Sequence, residues 1–221
     1  MASLVITIDG PAASGKSTTA RLLAQRLGAV FLDTGAMYRA VTLAAMQKGA
    51  RLSDEKALLD VLRNTEFEFR ADSDRMSAFI DGVDVTAAIR RRDVTENSRY
   101  IAAVPKVRAE LVKMQRDFAA VHEKVVTEGR DQGTVAFANA DVKFFLTADI
   151  ETRARRRMNE LKDTSEVTLD NLIKSIEERD AKDSSRAEGP LRAADDAIII
   201  DTTDLNLEQV VELLVSNVRS R

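Results

Sequence analysis

The sequence predicts an α/β fold, a five-stranded parallel sheet with helices on both faces. Two observations carry that expectation. Short runs of apolar and β-branched residues recur at Leu4–Ile8, Val30–Asp33, Val125–Glu128, Val142–Thr147 and Ala197–Asp201, with helical periodicity between them. A glycine-punctuated stretch, Gly10–Gly15, separates the first run from the first helix. A third observation adds to this core. Over residues 63–98 the texture changes to alternating apolar and charged positions around Asp81-Gly82, so an insert with a small antiparallel sheet is expected there. The 221 residues suit a single domain, 1–221, carrying that insert.

The elements follow in order. Lys16–Leu27 sets Ala20, Leu23, Ala24 and Leu27 at helical spacing. The second strand ends at Asp33, and Thr34-Gly35 opens a helix through Met46. Ser53 is the expected N-cap of the next helix, with Asp54 and Glu55 favourable in its first turn. Phe67 and Phe69 alternate with Glu66, Glu68 and Arg70, a half-buried strand. Ser77–Ile80 and Val83–Val85 flank Asp-Gly, the dipeptide suited to a type I′ hairpin. Pro105 suits the first position of a helix running to about Val121. An arginine-rich helix from about Asp149 and a polar helix from about Thr168 lie between the last two strands. At the C-terminus Leu205, Val210, Leu213, Leu214 and Val218 gather mainly on one face, with Asp204 as the expected N-cap.

Composition excludes several chemistries. Cysteine is missing, which removes disulfides, thiolate catalysis and cysteine-held zinc. His122 is the sole histidine, so a multi-histidine metal site is impossible, and it reads as a surface residue at a helix end or loop. A net charge of −3, from 33 basic and 36 acidic side chains, does not suggest a dedicated nucleic-acid or membrane binder. The first residues lack the basic start and apolar run of a signal peptide, and no segment approaches a membrane span, so a cytoplasmic location is expected.

Residues 10–17, Gly-Pro-Ala-Ala-Ser-Gly-Lys-Ser, fit G-x-x-x-x-G-K-[ST] in full, with a strand before and a helix after. Glycine lets successive backbone N–H groups turn inward onto phosphate oxygens, and the helix N-terminus adds its positive end. Lys16 supplies a cation for the β- and γ-phosphates, and the Ser17 hydroxyl can ligate Mg²⁺. Gly10, Pro11, Ala12, Ala13, Ser14, Gly15, Lys16, Ser17 and Thr18 are therefore the candidate ATP-binding residues. No asparagine is followed by lysine, so the guanine-reading Asn-Lys-x-Asp motif of GTPases is missing.

The remaining motifs, in chain order, are ITIDGP (6–11), LDTGAMYR (32–39), IR (89–90), PKVR (105–108), QR (115–116), EGRDQGT (128–134), RARRR (153–157) and ERDAKDSSR (178–186). Together with the phosphate loop they resemble bacterial cytidylate kinase, within the nucleoside monophosphate kinases, from residue 4 to the C-terminal helix. The resemblance implies a P-loop kinase core, a monophosphate-binding insert at 63–98 and a helical lid at about 149–188. It implies Mg²⁺ with ATP as phosphoryl donor, and CMP or dCMP as acceptor.

Residue by residue, the resemblance puts Arg39 and Arg130 on the acceptor phosphate with Arg186 beside them. Arg108, Asp131, Arg179 and Asp183 fall at its base and sugar positions, and Thr34 also belongs to the CMP set. Arg153, Arg156 and Arg157 look like lid arginines. Lys16, Arg130, Arg153 and Arg157 form the catalytic set, Ser17 is the Mg²⁺ ligand, and Asp33 is a further candidate for Mg²⁺ or acceptor organisation. Arginine suits such roles because its planar fork grips phosphate bidentately and stays charged. The family usually has Met where Gln132 stands, and a base-contacting Ser where Arg99 stands. The alternatives are a P-loop kinase for another small acceptor such as UMP or AMP, and a non-catalytic ATP-binding sensor. The expected partners are nucleotides alone, without nucleic acid or membrane, and the expected unit is a monomer.

Overall fold

The computed structural model describes residues 4–160 and 168–220. Residues 161–167, part of the expected lid, lie outside the described residues. In chain order the strands are β1 (Leu4–Asp9), β2 (Val30–Asp33), β3 (Phe67–Ala71), β4 (Met76–Ile80), β5 (Val83–Asp84), β6 (Lys124–Gly129), β7 (Val142–Thr147) and β8 (Ile198–Asp201). The helices are α1 (Lys16–Leu27), α2 (Thr34–Gln47), α3 (Glu55–Arg63), α4 (Arg92–Ala102), α5 (Pro105–Ala120), α6 (Ile150–Glu160), α7 (Leu169–Ser184) and α8 (Leu207–Arg219).

Five strands form a wholly parallel sheet in the order β2-β6-β1-β7-β8, as the apolar runs predict. Alternation along each strand decides which face a side chain meets. Ile6, Ile8, Val126, Phe144 and Leu146 point to one face and pack with Leu23 and Ala24 of α1 and Val210 and Leu214 of α8. Leu32 and Val125 point to the other face, where α2, α3, α4 and α5 enclose a second core. Helix α2 is the centre of that layer. Its small residues Ala36, Ala40, Ala44 and Ala45 are buried, which lets sheet, insert and α4 approach from several sides.

The insert carries the antiparallel sheet β3-β4-β5. Its hairpin has Asp81 at φ 49° and Gly82 at φ 78°, the paired left-handed residues that a type I′ turn requires. A small third core joins α6 and α7 to the phosphate loop through Ala12, Ala154 and Ile176. No helix among the described residues is long and apolar enough to cross a membrane.

Several local expectations shift. Asp54, not Ser53, caps α3, accepting the Ala57 N–H at 3.1 Å. Asn206, not Asp204, caps α8, because Asn206 and Gln209 exchange side-chain-to-backbone bonds in a capping box that satisfies two N–H groups at once. That start turns the buried face to Val210, Val211, Leu214 and Val215, two i,i+4 pairs, and leaves Leu213 42% exposed. The last strand begins at Ile198 rather than Ala197. Helix α4 has no counterpart in the sequence reading, since only Val94 and Ile101 of its residues are buried and arginines crowd its start.

Candidate active site

The carboxyl ends of the parallel strands deliver the site, as open α/β sheets commonly do. Strand β1 runs into the phosphate loop through Gly10 at φ 151°, where a Cβ would overlap the Leu146 carbonyl of β7. Only glycine lets the loop leave the sheet so close to its neighbour. Lys16 lies 5% exposed and folds back on its own loop, donating to the Pro11 carbonyl at 2.6 Å and the Ser14 hydroxyl at 3.3 Å. Burial pulls its ammonium from 10.5 down to about 7, Arg130 adds to the fall and Glu128 opposes it.

Ser17 donates to Oε1 of Glu128 at 2.9 Å, and Glu128 stands level with Asp33 across the β6–β2 pairing. Asp33 itself caps α2 by accepting the Ala36 N–H at 2.8 Å, and pairs with Arg39 at 3.2 Å and Arg90 at 3.5 Å. The Thr34 hydroxyl donates to the Glu128 carbonyl at 2.7 Å. Ser17, Glu128 and Asp33 therefore offer oxygen donors alone. Among the described residues no cluster of three His, Cys, Asp or Glu side chains could hold a metal by itself. A hydroxyl and one or two carboxylates beside a phosphate cradle fit Mg²⁺, which keeps waters and phosphate oxygens among its six ligands.

A second group of candidate site residues is a set of arginine–carboxylate pairs. Asp183 of α7 is buried and receives Arg130 Nε on Oδ2 at 2.8 Å and Arg186 on Oδ1. Arg108 of α5 pairs with Asp131, and both side chains are almost fully enclosed. Burial raises the Asp131 carboxyl, while Arg108 and Arg186 act to lower it. Tyr38 of α2 lies 5.9 Å from the Arg108 guanidinium, ring to cation, and burial pushes its hydroxyl up to about 12. A cavity of about 270 Å³ opens beside this pair, walled by Arg108, Arg186, Ala102, Pro105 and Ser185. Arg39 keeps one buried N–H, at Nε, without a hydrogen-bond partner among the described residues.

Between the two halves, Arg179 is drawn down to about 10, by burial first and then by Arg130. Arg130 and Arg179 both lower Lys16, and Arg130 lowers Arg179, so cationic side chains lie close together here. That is the electrostatic complement of a polyphosphate.

Two residues that sequence reasoning missed tie these parts together. Asp9, at the end of β1, accepts the Gln132 N–H at 2.9 Å and the Gly133 N–H at 2.7 Å, fixing the π-helical turn Gln132–Ala136 directly after Arg130 and Asp131. Asp180 of α7 accepts the Ala12 N–H of the phosphate loop at 2.9 Å and pairs with Arg153, which donates to the Ala12 carbonyl at 3.1 Å. Both residues lie inside quoted motifs, but nothing in a one-dimensional pattern tells which carboxylate meets which backbone. Gln132 turns inward, its Oε1 accepting from the Thr127 hydroxyl at 3.0 Å.

The arginine run of α6 divides. Arg153 faces the phosphate loop; Arg156 donates to the Thr202 carbonyl at 2.6 Å and hydroxyl at 2.9 Å; Arg157 pairs with Glu160 at 2.8 Å near the surface. Arg156 is thus anchored away from the cleft, at the end of β8. His122 follows α5, stacked on Phe118 at 4.5 Å.

A parallel sheet, a complete phosphate loop on its first strand and a separate cavity walled by arginines define a P-loop kinase. Comparison narrows the class. The family model for cytidylate kinase matches residues 6–220, and the chain belongs to the cytidylate kinase family. It is 46% identical over 218 residues to the cytidylate kinase of Anoxybacillus flavithermus, covering 98% of this chain and 96% of that one. It is 40% identical over 220 residues to that of Aliivibrio salmonicida, covering 99% and 98%. Among solved structures, a protein of Eubacterium ventriosum aligns with a TM-score of 0.54 at 16% identity, over 99% of each chain. One of Thermus thermophilus gives 0.50 at 18% identity, over 100% of this chain and 98% of the other. Likenesses this remote concern the fold alone.

Proposed function

We propose that the chain transfers the γ-phosphoryl group of ATP to CMP, and to dCMP, giving ADP and CDP or dCDP. Family membership supports the reaction class. The observation that carries the base choice is the buried Arg108–Asp131 pair beside the arginine-lined acceptor pocket. Cytosine offers an exocyclic amino donor where uracil offers a carbonyl acceptor, and a carboxylate accepts from the former. Uracil would set its O4 lone pair against Asp131, a mismatch of about 1–3 kcal/mol in a desolvated site.

Transfer between two polyanions needs positioning and charge neutralisation more than covalent chemistry. The loop from Gly10 to Thr18 holds the donor phosphates, and Lys16 swings from the Pro11 carbonyl onto them. Arg39, Arg130 and Arg186 bind the acceptor phosphate, with Arg179 between donor and acceptor. Asp183 orients two of these arginines and serves the sugar, and Thr34 lines the same pocket. Mg²⁺, held by Ser17 with phosphate oxygens and organised by Glu128 and Asp33, would neutralise charge on the β- and γ-phosphates. Arg153 and Arg157 belong to the lid over 149–188, whose closure keeps water from competing as acceptor. The insert at 63–98 serves the acceptor through Arg90, whose pairing with Asp33 at 3.5 Å supports this reading.

ADP production with CMP, dCMP, UMP and AMP side by side tests the reading. CMP and dCMP should be turned over at least about tenfold more efficiently than UMP. Faster turnover of UMP or AMP would overturn the base assignment, and ATP binding without turnover of any acceptor would favour the sensor.

A further inference from the structure

We propose that Gly189 is the residue that closes the acceptor pocket over Arg108 and Asp131, and that this closure sets how sharply the chain separates cytosine from uracil. The inference rests on the proposed base-reading role of Asp131.

Gly189 lies in the turn after α7, buried and at φ +60°, and the turn is tied back to that helix by the Leu191 N–H on the Asp183 carbonyl at 2.9 Å. A Cβ at this position would overlap both the Asp131 carboxylate and the Arg108 guanidinium, with Asp131 Cγ at 3.0 Å. Arg108 and Asp131 are each 5% exposed and tied to one another, so a shift of either disturbs their pairing. The pair is thus bounded by Tyr38 on α2 and by bare glycine backbone in this turn. A side chain here must lift the turn or separate the pair.

The consequence concerns water. A carboxylate rejects a carbonyl strongly only where no water can enter, since water donates as readily as it accepts and can bridge the two. Glycine at 189 lets the backbone itself occupy the space that water would take. A methyl group would open that space, weaken CMP, and spare UMP the larger part of its penalty. Gly189 acts through Asp131 and Arg108, so it is a positioning residue.

The experiment measures kcat and KM for CMP, UMP and ATP in wild type, Gly189→Ala, Asp131→Ala, the double variant and Gly49→Ala. Gly49 is a strain control, having φ +65° with nothing within 4 Å of the place a Cβ would take. Gly189→Ala should raise KM for CMP about tenfold and lower the CMP:UMP ratio of kcat/KM about fivefold or more, with KM for ATP unchanged. Gly49→Ala should leave that ratio alone. Removing the Asp131 carboxylate relieves one of the two overlaps, so Gly189→Ala should destabilise the Asp131→Ala background less than it destabilises wild type. The remaining cost is the φ strain read from Gly49→Ala and the contact with Arg108. A wild-type CMP:UMP ratio in Gly189→Ala, or a Gly189→Ala destabilisation undiminished in the Asp131→Ala background, overturns the inference. If Asp131→Ala also keeps the wild-type ratio, the base-reading assignment fails with it; if Asp131→Ala changes the ratio and Gly189→Ala does not, the glycine inference alone is wrong.

Discussion

Arg130 donates its Nε to Oδ2 of Asp183 at 2.8 Å, across 53 residues of sequence. The carboxylate's other oxygen receives Arg186, so one buried aspartate sets the direction of two acceptor-side arginines. Asp183→Ala should therefore raise KM for CMP by about tenfold or more, while KM for ATP stays within about twofold. Kinetics varying each substrate in turn would check it, and an effect confined to ATP would contradict it.

Lys16→Ala should lower kcat by on the order of 10²–10³, the usual cost of losing one charge-stabilising contact in a transition state. The fold should survive, because burial already opposes the charge on this ammonium. A thermal melt beside the turnover assay separates the two effects. Near-normal turnover in a folded variant would remove the loop from the mechanism.

Asp180 links α6 and α7 to the phosphate loop through the Ala12 N–H and Arg153. Asp180→Ala should raise KM for ATP several-fold, about three- to tenfold, with KM for CMP little changed. An unchanged KM for ATP would mean that the loop holds its shape without this contact.

Arg156 is anchored on Thr202 rather than turned to the cleft. Arg156→Ala should cost about 1–3 kcal/mol of stability and leave kcat within about twofold. Urea denaturation paired with saturating kinetics decides this, and a large fall in kcat without loss of stability would return Arg156 to the lid's working face.

Burial raises the Asp9 carboxyl from 3.8 to about 6, against the lowering effect of the Gly133 and Gln132 N–H groups. The folded chain then holds a proton that the unfolded chain releases between about pH 4 and pH 6. Asp9's contribution to stability is present below the lower value and lost as pH rises through the upper one. Relative to Asp9→Asn, wild type should lose on the order of 2–3 kcal/mol across that window. Denaturation series from pH 4 to pH 7 for both proteins test it, and parallel curves would rule it out.

By itself the sequence determined the sheet, the phosphate loop and the family. Five β-branched runs bury on both faces of a parallel sheet whatever their partners, and residues 10–17 carry their chemistry in consecutive backbone N–H groups and side chains. The type I′ turn at Asp81-Gly82 and the proline opening α5 were legible for the same reason: their cause is local. Helix starts were less so. Ser53, Asp54, Asp204 and Asn206 are all capable caps, and packing chose Asp54 and Asn206. Only the tertiary structure decided which carboxylate holds which arginine. Arg108 and Asp131 stand 23 residues apart, and Arg153 and Asp180 stand 27 apart. A charge run such as 153–157 has one chemistry in sequence but three destinations in space: Arg153 meets the phosphate loop, Arg156 the end of β8, and Arg157, one turn beyond Arg153, pairs with Glu160 near the surface. Long-range pairing depends on where the backbone brings each side chain, and that geometry belongs to the folded chain as a whole.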